Sequence, residues 1–498
     1  MAPSGGAGGA RELDAAPCAD AGPPFERDYV LVNGLRHVAP YVHDFHIRVG
    51  ASREGGSLLE ALDAHVKFQG CKYASGRAFW QTELDGGRVR VCSDVLRRLP
   101  TGGPIPELWW RTPQSLDESI EKDTRLAITR HVHEPPVRAT VPPVLFEDET
   151  LVAVDKPAGA PTLAGIGPGL SGENSLVAIL NRARAEAFAS GEASARSAPP
   201  APLFAVNRVD QPVSGVWILA KGSKASARVR AALSRPGADK RKTYLALLRG
   251  RVAGDGFAAD APLRVGADGY AEAPGRERPG NETKETAPPA TSPTRRVNRH
   301  AKVPTAFKPA ETRVVPIAYV PRRREDERET DDEDVDTLAV ASLAFAGRFH
   351  QIRAHCAFAG HPVVGDAAYD DAVPSSMPRR GGVDPRADDR EGTLEKMRVA
   401  RRVDWCAECA SRNALEGQNR ADDAVERVDA RLAGSYICLH ALEYAFEHRG
   451  RAYAVTTRDL PAFADEALRD ASWPVDSRTP EAVLRAFRAT EKRSRDVP

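Results

Sequence analysis

Three short segments hold side chains whose types and spacing could do chemistry. Asn207-Arg208-Val209-Asp210-Gln211-Pro212-Val213-Ser214-Gly215 sets an Arg and an Asp two positions apart, just ahead of an apolar run. Arg241-Lys242-Thr243-Tyr244 opens another apolar run with a phenol. Gly347-Arg348-Phe349-His350-Gln351-Ile352-Arg353-Ala354-His355, followed by Gly360-His361-Pro362-Val363-Val364-Gly365-Asp366, concentrates guanidinium and imidazole groups beyond what a plain core tolerates. An Asp with an Arg partner stays ionised and is ready as nucleophile or base. Taken alone, the same pairing is also an ordinary structural ion pair. On an extended strand Arg208 and Asp210 would share one face. A further group, Cys406-Ala407-Glu408-Cys409 with Cys438 and His440, has the number and type of ligands for a tetrahedral zinc site. Buried or free thiols are the favoured reading, so no metal is expected.

These segments need elements to position them. Leu58, Leu59, Leu62 and Val66 recur at helical spacing, and Gly86–Cys92 alternates like a hairpin strand. Leu151–Val154, Gly215–Ala220, Thr243–Leu248, 337–346 and 435–456 read as strands; Asn174–Ala189 and Ser223–Leu233 read as helices. Short strands with interspersed helices point to an α+β fold with a mostly antiparallel mixed sheet. Residues 1–27 read as a disordered tail, 28–140 as an N-terminal block, 141–465 as the main domain and 466–498 as a C-terminal tail. Polar insertions are expected at 265–306, 321–336 and 371–433, where no apolar periodicity could supply a core.

The chain has 498 residues and balances 70 Lys+Arg against 69 Asp+Glu, which excludes a polycationic or polyacidic binder but not a local phosphate-binding patch. Only 13 of the 70 basic residues are Lys, and Arg suits phosphate and planar bases. Seven Cys, no secretory pattern and no bilayer-length apolar run lead us to expect a soluble, cytoplasmic protein with no membrane partner. Organelle or nuclear residence is left open.

In order along the chain, the motifs resemble those of the RluA-type pseudouridine synthases, an RNA-modifying family. Asn207–Asp210 with Val213-Ser214-Gly215 is similar to that family's nucleophile motif, and Leu151–Gly159 to its opening strand and Lys-Pro turn. Lys242-Thr243-Tyr244, Lys308–Thr312, Gly347–Tyr369 and Tyr436–Ala441 resemble four further motifs. Six motifs in order are far more specific than any one. Gly34-Leu35-Arg36, Pro40-Tyr41 and His131–Val137 resemble the eukaryotic branch that modifies tRNA. The helix and hairpin near 57–95 look like a degenerate S4-type RNA-binding unit.

The resemblance implies a pseudouridine synthase fold with a central catalytic cleft, a flipped uridine and no cofactor. Asp210 would be the catalytic carboxylate, Arg353 its partner, and Tyr244 the wall against the target ring and a possible proton acceptor. Arg208 would take the place of the extruded nucleotide. Lys156, Arg348, His350 and Gln351 join it as expected RNA-binding residues, whereas His355 and His361 read as satisfied structural histidines. The partner is RNA, most simply tRNA, and the chain a monomer. Asn207, Val209, Val213 and Phe349 depart from the usual residues of the motifs. Asn207 and Phe349 motivate the alternative of an RNA-binding protein of the same fold without catalysis; an enzyme for rRNA or mRNA is a second alternative. A glycosidase-like hydrolase would need a second carboxylate that the motifs do not offer.

Overall fold

The structure is a computed structural model. It describes residues 29–32, 35–38, 41–49, 56–65, 76–93, 105–132, 134, 137–138, 140–163, 172–191, 199–234, 240–266, 270–275, 306–322, 335–343, 347–370 and 436–496. They divide into two compact units. One comprises the residues before 140 together with 172–178; the other comprises 140–163, 179–370 and 436–496. Among the described residues no helix is long and apolar enough to cross a membrane.

The first unit contains β1 (Tyr29–Val32), β2 (Leu35–Val38), β3 (Tyr41–Arg48), α1 (Leu58–His65), α2 (Arg77–Asp85), β4 (Val89–Cys92), β5 (Arg125–Val132) and β6 (Val137–Arg138). An antiparallel sheet in the order β3-β5-β4 carries one core, where Leu58, Leu62, Trp80 and Leu84 of the helices meet Val89, Val91, Leu126 and Ile128 of the strands. Ser57 and Glu60 form a reciprocal capping box at the start of α1, satisfying amide donors that the first turn leaves free. Two expectations are corrected here. Gly86–Cys92 is not half of a local hairpin, because β4 pairs with β5, more than thirty residues on. The segment also contains a second helix, α2, so helix plus hairpin is not what folds.

The second unit is built on a ten-stranded sheet. Its elements are β7 (Val144–Glu147), β8 (Leu151–Lys156), α3 (Leu176–Ala189), most of which belongs here, β9 (Leu203–Ala205), β10 (Ser214–Lys221), α4 (Ser223–Ser234), β11 (Lys240–Leu248), β12 (Phe257–Ala259), β13 (Arg264–Val265) and β14 (Ala271–Glu272). They continue as β15 (Thr312–Pro321), β16 (Val335–Leu343), α5 (Gln351–Phe358), β17 (Leu439–His448), β18 (Arg451–Thr456), α6 (Ala462–Asp470) and α7 (Pro480–Asp496). The order is β12-β15-β16-β11-β17-β10-β8-β7, with β18 beside β17 and β9 beside β10. Every pairing is antiparallel except β10 with β17. The unbroken apolar run Val216–Ala220 in β10 is fully buried, as a central strand covered on both faces requires.

The 466–498 tail expectation is overturned. Phe463, Ala464, Ala467 and Leu468 of α6 and Val483, Leu484 and Phe487 of α7 are buried against Leu245, Val315, Leu338 and Val340 of the sheet. Arg488 and Arg241 both reach the buried Glu443, which locks α7 to β17 and β11. The start of the expected 265–306 insertion also belongs to the fold: β14 pairs with β13, and Ala271 and Ala273 pack against Tyr369. Most of the remaining insertion residues, and Cys406 and Cys409, lie outside the described residues.

Candidate active site

The chemistry-bearing residues converge where the sheet is weakest. β10 and β17 share only two residue pairs, Ser214↔His440 and Gly215↔Ala441, and Ala441 in turn faces Tyr244 on β11. A β-bulge between Thr243 and Tyr244 falls at this row, a common way to re-aim a side chain beside a functional site. Gly215 has φ 104°, and a Cβ there would overlap the main chain of Ala441, so only glycine lets the two strands meet. One row across three strands thus relates Tyr244 to the segment that carries Asp210.

Residues 207–213 are a connection between β9 and β10, not the extended strand expected from the spacing. The alternation survives nonetheless: Arg208 is exposed, Val209 buried, and the Asp210 side chain 26% exposed. The turn after Asp210 is held at every carbonyl. Val213 N–H donates to Asp210 O, Gly159 N–H to Gln211 O and Ile437 N–H to Pro212 O. Lys156 Nζ donates to Gln211 O (3.0 Å), Val213 O (2.6 Å) and Pro157 O (3.0 Å).

Lys156 is therefore not an RNA contact. It is fully buried, and burial pulls its ammonium down to about 7, opposed by the Asp210 charge. Gln351 is corrected in the same way. It is buried, accepts the Arg348 N–H and donates to Glu311 O and Thr312 Oγ1, which ties the start of α5 to β15.

Arg353 is buried and lies between two carboxylates. Its principal partner is not Asp210 but Asp366, bound side-on through Nε (2.6 Å) and Nη2 (2.7 Å); Nη1 stands 3.4 Å from Asp210 Oδ2. Burial alone would lower the guanidinium, but Asp366, by hydrogen bonds and charge, and Asp210, by charge, raise it above its ordinary value. A fixed cation consequently faces a partly exposed carboxylate. Tyr244 is raised by burial and by the Asp210 charge, so its phenol stays protonated at neutral pH and is a donor, not a resting base.

His350 was expected to face phosphate, but it turns inward. Its φ of 51° places it in the left-handed region at the start of α5. Nε2 lies 3.6 Å from Asp210 Oδ2 and Nδ1 3.1 Å from the Tyr369 hydroxyl. Burial, then the Arg353 charge, lowers it to about 3, so the ring is neutral. Phe349 stacks on it with ring centroids 3.7 Å apart and stays 36% exposed. Arg348 Nε donates to Pro309 O. Asp366 and Tyr369, which contact Arg353 and His350, carry no assignment from the sequence; their place in the Gly347–Tyr369 motif was the available signal.

His355 bonds Thr312 Oγ1 and Ala261 O, and His361 bonds Arg249 O, which are structural roles as expected. The zinc alternative loses its histidine, because His440 Nδ1 meets Ser214 Oγ (2.8 Å) and Nε2 meets Thr457 Oγ1 (3.2 Å). Cys438 is buried in the apolar core. Among the described residues no group of three or more His, Cys, Asp or Glu is arranged to hold a metal. In the first unit, Arg36, Tyr41 and Glu134 meet: Tyr41 donates to Glu134, which accepts the N–H groups of Glu173 and Asn174, while Arg36 bonds Glu173 O and Asn174 Oδ1. They form a structural clamp.

Comparison with known proteins adds independent information. Residues 150–358 match the family model described as RNA pseudouridylate synthase. A Saccharomyces cerevisiae protein named tRNA pseudouridine(31) synthase is 26% identical over 68% of this chain and 72% of its own length. RNA pseudouridine synthase 7 of Arabidopsis thaliana is 23% identical over 69% of this chain and 68% of its own. Human pseudouridylate synthase RPUSD2 is 24% identical over 73% of this chain and 51% of its own.

Proposed function

The chain belongs to the RluA-type RNA pseudouridine synthases and isomerises uridine to pseudouridine in RNA; from that premise we propose that its substrate is a tRNA and that Asp210 is the catalytic carboxylate. In this isomerisation the N1–C1′ bond of uridine breaks and a C5–C1′ bond forms. The C5 proton is lost to solvent and N1 gains one, so no redox partner is needed. The reaction requires one ionised carboxylate beside C1′, and the observation that carries the assignment is the Asp366–Arg353–Asp210 line. Asp366 holds the guanidinium and the guanidinium holds Asp210, whose carboxylate alone reaches the surface.

Tyr244 supplies a flat wall for the target ring and a phenol that can donate. Arg208, exposed two residues before Asp210, is positioned to fill the gap left by the extruded nucleotide and so offset part of the unstacking cost. The tRNA assignment draws on the yeast relative's name and on the Arg36, Tyr41 and Glu134 motifs. In this reading the first unit also contacts RNA.

The test is incubation of purified protein with unmodified tRNA and, separately, rRNA transcripts, followed by mapping of carbodiimide-blocked reverse-transcription stops. New stops in tRNA are expected, and binding should weaken steeply with salt. Stops in rRNA alone would overturn the substrate assignment.

A further inference from the structure

Asp210 has a second neighbour that neither the family match nor the ion pair accounts for. The Tyr369 side chain is fully buried and its oxygen accepts the Ala271 N–H at 2.8 Å. That bond occupies the oxygen as an acceptor, so the phenolic hydrogen must point elsewhere. His350 Nδ1, at 3.1 Å, is the acceptor within reach. Burial also raises the Tyr369 phenol, which keeps that hydrogen in place at neutral pH. A ring nitrogen that accepts from Tyr369 carries no proton, and in a neutral imidazole the proton then sits on Nε2. Nε2 is the atom that faces Asp210 Oδ2, at 3.6 Å, a separation of the kind that closes when an active site tightens on its substrate. Arg353 Nη1 approaches the same oxygen. Both donors thus converge on Oδ2.

We propose that His350 is a positioning residue for Asp210: Tyr369 fixes its Nε2–H tautomer, Nε2–H and Arg353 together hold Oδ2, and Oδ1 is left as the oxygen that meets the reacting nucleotide. Phe349, stacked on the imidazole, keeps the ring in register and screens it from water. The assignment rests on Asp210 being the catalytic carboxylate.

Two substitutions separate this role from a merely structural one. His350→Gln carries an amide N–H about as far from the backbone as Nε2. His350→Asn carries it nearer and short of Asp210, yet Asn suits the left-handed φ of 51° better than Gln. If residue 350 only shapes the turn, Asn is the better replacement; if it donates to Asp210, Gln is. A hydrogen bond to a charged group that matters in the transition state corresponds to roughly ten- to hundredfold in rate.

The measurement is steady-state turnover on a tRNA transcript, with kcat and KM resolved, for His350→Gln, His350→Asn, Tyr369→Phe and Asp210→Asn. We expect kcat of the Asn and Tyr369→Phe variants to fall about tenfold or more at nearly unchanged KM, with His350→Gln above His350→Asn. Nitrogen NMR of histidine-labelled wild type, assigned by the signal lost in His350→Gln, should show a neutral Nε2–H ring at pH 7. An Asn variant as active as Gln or more so, or an Nδ1–H or cationic ring, overturns the inference. Full activity in Asp210→Asn would instead remove the site assignment on which it rests, so the two failures are distinguishable.

Discussion

Replacing Asp366 by Ala strands a buried guanidinium. In the folded protein Arg353 makes two short bonds to Asp366 and one longer approach to Asp210, and the Arg353 and Asp366 side chains are only 7% and 1% exposed. Breaking a buried ion pair by removing one partner costs about 3–5 kcal/mol, because the other charge stays desolvated without compensation. Asp210 remains near Arg353, so Asp366→Ala should lie near the lower end, about 3 kcal/mol. Among the described residues, Arg353→Met strands Asp366 with only the Ala368 N–H for its charge, and should cost toward the upper end of about 3–5 kcal/mol. The double variant removes both charges together with both desolvation terms. It should therefore lose no more than the worse single, which gives a coupling of at least about 3 kcal/mol, the cost of the milder single. Urea unfolding of the four proteins at pH 7, compared at equal slope, measures each quantity. Single-variant losses that add to within about 0.5 kcal/mol of the double would mean that the two groups do not share one buried interaction.

Three further outcomes are expected. Lys156→Met should destabilise by about 3 kcal/mol or more, since three carbonyls around the turn after Asp210 lose a donor, while tRNA affinity of the folded fraction stays unchanged; filter binding beside thermal melting checks both. Gly215→Ala should cost about 2–5 kcal/mol, combining left-handed strain with overlap onto Ala441 and readable as a lowered urea midpoint; a neutral substitution would mean the β10–β17 seam is loose. The completely buried His440 is lowered to about 3 by burial, so the unfolded chain binds a proton there that the folded chain does not as pH falls below about 6.5. Stability is then lost toward acid, by about 2 kcal/mol between pH 7 and pH 5, and His440→Gln should flatten the pH profile by that amount; parallel profiles would contradict it.

Much of this arrangement was legible in the sequence because motif residues sit at fixed offsets from apolar strands. Asp210, Tyr244 and Arg353 are marked by polar density beside β10, β11 and α5, and strand register brings Tyr244 level with the start of β10, just after the Asp210 segment. Lys156 and Gln351 were misread because side-chain type does not reveal direction. A Lys beside a Pro-Gly turn is drawn as a surface cation until three inward carbonyls account for it. Asp366 was missed because its partner lies thirteen residues away across a helix and a turn, a separation that no periodicity encodes. The C-terminal helices failed for the opposite reason. Phe463, Ala464, Ala467 and Leu468 have the period of an amphipathic helix, and so do Val483, Leu484 and Phe487, but charge around them made the stretch look like a tail. The partner of β4 was not legible because β5 is supplied from a distance, and local alternation cannot specify that.

If Asp210 is the catalytic carboxylate, loss of the C5 hydrogen from a tRNA uridine depends on it. Tritium release from a tRNA transcript labelled at uridine C5 reads that loss directly. Release is expected with wild type and only background with Asp210→Asn, the variant still binding the same tRNA. Release by Asp210→Asn at the wild-type rate, or none from the wild-type protein, would contradict it.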